Sequence, residues 1–264
     1  MKVLIFISTM ILTCFKIAAQ DGTKLTDEHL LKLYKGLRLT DVCDGMNMVG
    51  LVNLGLMDQT IAPLWKDTES FEHQIVGIAF TVKYVPTQRK TTPDKNSIDG
   101  YKSWRDYWYS FYSGEPFIEE IEPGHIVVIE NDGDAVTDCG SIGSNNSMVW
   151  KKQGSRGVIS SAGVRDIDQI IAQKIPVYTN YEKRGRAIRP GRNELESYNE
   201  PIYVGGVLVK PGDVIVADTD GVVVVPRDKA VEVADAAREE LTIDTESRRK
   251  LYEELGIPLD VTVK

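Results

Sequence analysis

Three stretches of the chain combine residue types that could do chemistry. The first runs Gly140-Ser141-Ile142-Gly143-Ser144-Asn145-Asn146-Ser147 into Met148, Val149, Trp150 and Lys151. Glycines leading into Ser and Asn, then an amphipathic segment, describe a loop that opens a helix. Exposed backbone N–H groups at such a place suit an anion or carboxylate, helped by the helix dipole. The same letters also read as an ordinary helix cap. The second stretch is Gly157-Val158-Ile159-Ser160-Ser161-Ala162-Gly163-Val164-Arg165-Asp166. It predicts a strand that ends in glycine and presents Arg165 and Asp166 at its C-terminal end, where open α/β folds place ligand chemistry. Arg can clamp a carboxylate with two parallel bonds, and Asp can hold a divalent ion or a water. An Arg–Asp surface pair with a capping role is the plainer alternative.

The third stretch, residues 84–120, interleaves Tyr101, Trp104, Tyr107, Trp108, Tyr109, Phe111 and Tyr112 with Lys102 and Arg105. Such aromatic density suits stacking on sugar rings. Helical spacing of Tyr101, Trp104, Trp108 and Phe111 equally suits a helix packed on the core, or a subunit contact. Nearby, Lys183, Arg184, Arg186, Arg189 and Arg192 form a basic run, either attracting an anionic ligand or pairing with Glu194 and Glu196 between subunits. His29, His73 and His125 match no catalytic or metal spacing; His73, beside a strand, is a candidate general base. Asp138 and Cys139 flank the glycine loop.

These residues sit in a 264-residue chain with 39 acidic and 31 basic residues, 42% hydrophobic, which is enough for a substantial core. The net charge of −8 argues against a nucleic-acid partner. Three Cys without CxxC spacing exclude a disulfide scaffold or structural zinc. Lys2, the apolar run Val3 to Phe15 and Ala18-Ala19-Gln20 read as a signal peptide over 1–20, too short to span a membrane. Cys14 hints at a lipoprotein box, weakened by Thr13 before it. The expectation is export to the periplasm, where Cys43 and Cys139 could pair if close.

A single domain over 21–264 follows, since no linker-like composition shift appears. Thr26 can cap a helix through Leu30, Leu33, Tyr34 and Leu37, and a second helix begins at Thr40-Asp41. Strands are predicted over Gln74–Val85, His125–Glu130, Arg156–Ser161, Pro176–Thr179, Pro201–Val209, Asp213–Ala217 and Gly221–Val225. A helix after Arg165-Asp166 and a polar helical arm over 227–255 complete an α/β domain.

The two glycine stretches resemble the regulator of ribonuclease activity A and 4-hydroxy-4-methyl-2-oxoglutarate aldolase family. Its pattern is Gly-(Glu/Asp), twenty residues, then Arg-Asp; here Gly143-Ser144 stands twenty residues before Arg165-Asp166. Thr40-Asp41-Val42-Cys43-Asp44, Gly77 to Val82, Pro123 to Val128, Pro211 to Asp218 and Gly221 to Pro226 also match. The resemblance covers most of 38–245 and leaves the 84–120 insertion outside the family core. It implies a swivelling β/β/α fold, a homotrimer or hexamer, and a site between subunits. It further implies that Arg165 binds the substrate carboxylate, that amides of Ser144, Asn145 and Asn146 cradle it, and that Asp166 holds Mg or Mn. Ser144 departs from the family acid, removing a charge that a hard cation prefers.

Three functions follow from these readings. The first is a periplasmic dehydratase acting on uronate-containing oligosaccharides, with Arg165 holding the developing charge and Asp166 as candidate base. The second is a divalent-metal-dependent 4-hydroxy-2-oxo-acid aldolase or oxaloacetate decarboxylase taking a small oxo acid. The third is a non-catalytic protein that binds acidic oligosaccharides.

Overall fold

The computed structural model describes residues 25–89, 97–131, 138–183 and 185–263. The expected signal segment and Arg184 lie outside the described residues. Helices α1 (Asp27–Leu33) and α2 (Leu39–Met48) open the chain, and Thr26 caps α1 by accepting from the His29 N–H at 3.3 Å. They are followed by β1 (Ile61–Pro63), β2 (Ile75–Pro86), α3 (Ile98–Phe111) and β3 (His125–Asn131). Next come α4 (Ser144–Gln153), β4 (Gly157–Ser160), α5 (Ile167–Ala172), β5 (Val177–Asn180) and β6 (Asn193–Tyr198). The chain ends with β7 (Ile202–Val204), β8 (Val207–Val209), β9 (Val214–Asp218), β10 (Gly221–Val225) and α6 (Ala230–Leu255).

One sheet runs in the order β1-β5-β4-β3-β2-β9-β10. Strands β2, β3, β4 and β5 are mutually parallel, each shielded by a helical crossover or loop, while β9 and β10 form an antiparallel pair. The long β2 serves two partners on one side, β9 along Ile75–Ile78 and β6 along Val82–Pro86. Residues 55–57 pair with the outer edge of β10, through Met57 N–H to the Val222 carbonyl at 2.9 Å, before the chain enters β1 on the far edge. The sheet therefore nearly closes on itself, which removes exposed edges.

Period-two alternation sets the layers. Ile215, Ala217, Val222 and Val224 point into the barrel interior with Ile126, Val128 and Ile159. Val214, Val216, Val223 and Val225 point outward, under α1, α2 and α6. On the other flank Val127 and Ile129 face α4 and α5 through Trp150 and Ile170. Each such buried aliphatic side chain contributes about 1.5–3 kcal/mol.

Several sequence expectations need correction. Pro201–Val209 is not one strand but the hairpin β7–β8, broken at Gly205 and Gly206, both at positive φ (55° and 78°). Strands β1 and β6 are additions to the expected set, and neither carries a run of apolar alternation that would mark it in the sequence. Of the aromatics on α3, Trp108 is fully buried, whereas Tyr101, Tyr107 and Phe111 are exposed, so the helix is not packed along its whole stripe. Cys43 and Cys139 are both free thiols: Cys43 packs in the helical layer, and Cys139 is buried beside the Asn193 amide. No helix among the described residues is long and apolar enough to cross a membrane.

Candidate active site

Two loops strapped side by side build the centre of the site. Ser141 N–H donates to the Gly163 carbonyl at 3.3 Å, and Arg165 N–H to the Ile142 carbonyl at 2.9 Å. Close approach requires the glycines. A Cβ on Gly140 would lie 2.8 Å from Arg165 Cγ, and one on Gly143 would lie 2.8 Å from Asp166 Oδ2. The motif read in the sequence thus brings Arg165 and Asp166 against the opening of α4.

Asp166 holds a left-handed backbone, φ 58° and ψ 39°, ahead of α5. Its side chain does not cap α5. It reaches across to α4, where Oδ2 accepts from the Ser144 N–H at 3.1 Å and from the Ser144 hydroxyl at 3.4 Å. Oδ1 accepts from Arg165 Nε at 3.2 Å. The carboxylate of Asp166 therefore occupies one of the three amides expected to receive a ligand carboxylate, at the positive end of the α4 dipole. Asn146 is also partly committed: its Oδ1 accepts from Gly143 N–H at 2.7 Å, and its Nδ2 donates to Glu115 at 3.1 Å. Asn145 is exposed at the cavity wall, and half-buried Arg165 also lines the cavity.

The opposite wall comes from the insertion. Ser97 caps α3 through the Gly100 N–H at 2.9 Å, and buried Trp108 donates from Nε1 to the Asn193 carbonyl at 3.2 Å. That anchor turns Arg105 and Tyr109, one helical turn apart, toward the cavity. Glu115, just beyond α3, accepts from Asn146 and from Trp150 Nε1 at 3.0 Å, and pairs with Arg189. Both partners of this ion pair are more than nine-tenths buried. Burial alone would pull the Arg189 guanidinium down. Tyr84 and Glu115 around it more than compensate and hold it charged above its ordinary range. Its Cζ lies 4.9 Å from the Tyr84 ring and 5.4 Å from the Tyr109 ring. Burial also raises the Tyr109 hydroxyl, against the lowering pull of Arg189 and Arg165.

Glu115 and the buried Arg189 were missed as a pair. Within the chain Arg186 pairs with Asp138 at 3.0 Å, and Glu194 pairs with Arg89. The histidines stand away from the cavity. His73 accepts the Asp67 N–H at Nδ1 and meets the Thr219 hydroxyl at Nε2, while His125 stacks on Phe80. Arg105, Tyr109, Glu115, Asn145, Arg165, Asp166 and Arg189 line a cavity of about 670 Å³.

The donors present make a poor cradle for Mg or Mn. Asp166 offers one carboxylate with a guanidinium 3.2 Å away, Ser144 offers a neutral hydroxyl, and Glu115 is taken by Arg189. No cluster of three His, Cys, Asp or Glu suited to a metal occurs among the described residues. Hard cations favour several charged oxygens, which this set of donors does not supply.

The family model described as RraA-like, Aldolase/RraA, matches residues 39–224, more than two thirds of the chain. The chain belongs to the Aldolase/RraA family. Among Aldolase/RraA relatives, Protein DlpA of Legionella pneumophila is 27% identical over 210 residues, covering 79% of this chain and 29% of that protein. A Halalkalibacterium halodurans protein named "Putative 4-hydroxy-4-methyl-2-oxoglutarate aldolase" is 31% identical over 132 residues, covering 50% of this chain and 60% of that one. The chain thus spans less than two thirds of the length of either relative. A crystal structure described as one of "novel cellulases from microbes associated with the gut ecosystem" superposes with TM-score 0.66 at 26% identity, over 86% of this chain and 90% of that one. Streptomyces coelicolor RraAS2 shares the Aldolase/RraA fold at TM-score 0.63 and 21% identity, over 86% of this chain and 98% of its own.

Proposed function

We propose that this Aldolase/RraA chain is a lyase of the carbon–oxygen type, a dehydratase that removes water from uronate-containing oligosaccharides. One observation carries the reading: the insertion brings Arg105, Tyr109 and Glu115 to the same cavity as Arg165 and Asp166. Cavities of about 300–1,000 Å³ hold drug-sized ligands, so there is room for more than a small oxo acid. Arg165 takes the uronate carboxylate, on whose oxygens negative charge develops as the α proton leaves. Asp166, acceptor-only while ionised and beside Arg165, is the candidate base. The neighbour described as a gut cellulase also supports a carbohydrate substrate.

On this reading residues 1–20 are cleaved, the protein is periplasmic, 21–264 form one catalytic domain, and a homotrimer or hexamer completes the site. The names of the relatives favour a second reading, a metal-dependent aldolase or oxaloacetate decarboxylase. Residues 21–264, incubated with uronate oligosaccharides and with 4-hydroxy-2-oxo acids, with and without chelator, separate these readings by mass analysis. Loss of one water from the oligosaccharide is the expected result. Release of pyruvate that stops with chelator would replace it with the aldolase, and binding without conversion would make the chain an oligosaccharide-binding protein.

A further inference from the structure

Proton donors are scarce around this cavity. Guanidinium groups keep their protons at any physiological pH. Asp166 accepts from Ser144 and Arg165, Glu115 accepts from Arg189, Asn146 and Trp150, and Asp106 pairs with Arg105. Each of these carboxylates is held as an acceptor. None of the three histidines lines the cavity. Among the described residues that line the cavity, Tyr109 is left as the titratable group with a proton to give.

Its surroundings suit that task at both ends of the transfer. Half-buried on α3, and held there by the Trp108 anchor, it keeps its proton at rest. The Arg189 guanidinium behind it, 5.4 Å from the ring centre and itself fixed by Glu115, is placed to stabilise a phenolate for the moment one exists. Resting on the dehydratase reading above, we infer that the Tyr109 hydroxyl protonates the departing oxygen, making the insertion a supplier of the general acid.

The step balances. The C–H bond α to the carboxylate breaks and its proton passes to the base. The electron pair forms the new C=C bond. The C–O bond at the β carbon breaks toward oxygen, which takes the Tyr109 proton and leaves as water. The proton held by the base returns through solvent to the Tyr109 oxygen, so the protein ends as it began.

Tyr109→Phe keeps the ring over Arg189 and removes only the donor. On a uronate oligosaccharide that the wild-type chain dehydrates, kcat should fall about 10²–10⁴-fold with KM little changed. A matched substrate carrying fluoride in place of the β hydroxyl needs no proton to expel its leaving group, so on it the variant should match the wild type. That second readout separates an acid from a packing role, because a distorted cavity would slow both substrates. Equal loss on both substrates, or near-wild-type dehydration by the variant, overturns the assignment while leaving the lyase reading intact. A wild-type chain that dehydrates no uronate overturns both.

Discussion

On one wall of the cavity, backbone geometry does the positioning. Asp166 sits where a left-handed residue and two glycines allow a carboxylate to touch the first amide of α4. On the other wall, side chains do it: Trp108 pins α3, and the Glu115–Arg189 pair ties the insertion to α4 and to the 185–192 loop. Backbone positioning tolerates few substitutions but needs no distant partner. Side-chain positioning depends on residues far apart in the chain and fails as a unit when one is lost. The first wall therefore suits a constant carboxylate clamp, and the second suits selection of what that carboxylate is attached to.

The largest loss is expected when the tie on the second wall is removed. Glu115→Ala leaves Arg189 buried with its charge uncompensated and strips acceptors from Asn146 and Trp150 Nε1. Loss of one partner from a buried pair costs about 3–5 kcal/mol, so chemical denaturation should show a drop of that size. A fall below about 1 kcal/mol would mean that water reaches the pair and that the insertion is held by Trp108 alone.

On the first wall the expected loss is in rate. Arg165→Lys keeps the charge but not the planar two-pronged contact, and removing a preorganised oxyanion contact typically costs about 10²–10³ in turnover. Arg165→Ala should be worse, with folding little changed because the side chain is only part-buried. Near-normal turnover of the Ala variant on the true substrate would end the carboxylate-clamp model.

These two walls were unequally legible in the sequence. Gly143-Ser144 and Arg165-Asp166 could be read because their relation is a fixed spacing between adjacent loops. Strands β9 and β10 were legible because each is a short, continuous run rich in β-branched residues, bounded by turn residues and buried along its whole length. Glu115 was not, because its role exists only once Arg189, 74 positions later, folds against it, and Gly114-Glu115-Pro116 by itself reads as a turn. The β7–β8 hairpin did carry a local signal, the Gly205-Gly206 pair between two short apolar runs. Strand β6 carried none: Asn-Glu-Leu-Glu-Ser-Tyr is polar because it pairs only with the end of β2.

A smaller effect is expected from Ser144→Asp. The structure gives Asp166 a neutral neighbour, and a second carboxylate 22 positions upstream in sequence would supply the missing charge. Mn affinity, followed by titration calorimetry, should rise about 10–100-fold relative to the parent. Unchanged affinity would show that Arg165 dominates the local field and that this wall is organised for carboxylate rather than for cation.

The smallest effect tests whether the second wall extends beyond the cavity. Phe111 is 67% exposed and packs against Tyr107 in a tilted pair with ring centroids 4.6 Å apart, while Arg105 and Tyr109 of the same helix face the cavity. Phe111→Ala removes an exposed ring pair worth at most about 1 kcal/mol, so the melting temperature should barely move. If the ring carries a sugar unit distant from the reacting uronate, KM for long oligosaccharides should rise about fivefold, roughly 1 kcal/mol, with kcat unchanged. A single uronate, too short to reach Phe111, should show no difference. An equal KM for long and short substrates in the variant and the parent would confine substrate selection to the residues that line the cavity itself, and would leave the outer aromatic face free for contacts with another subunit.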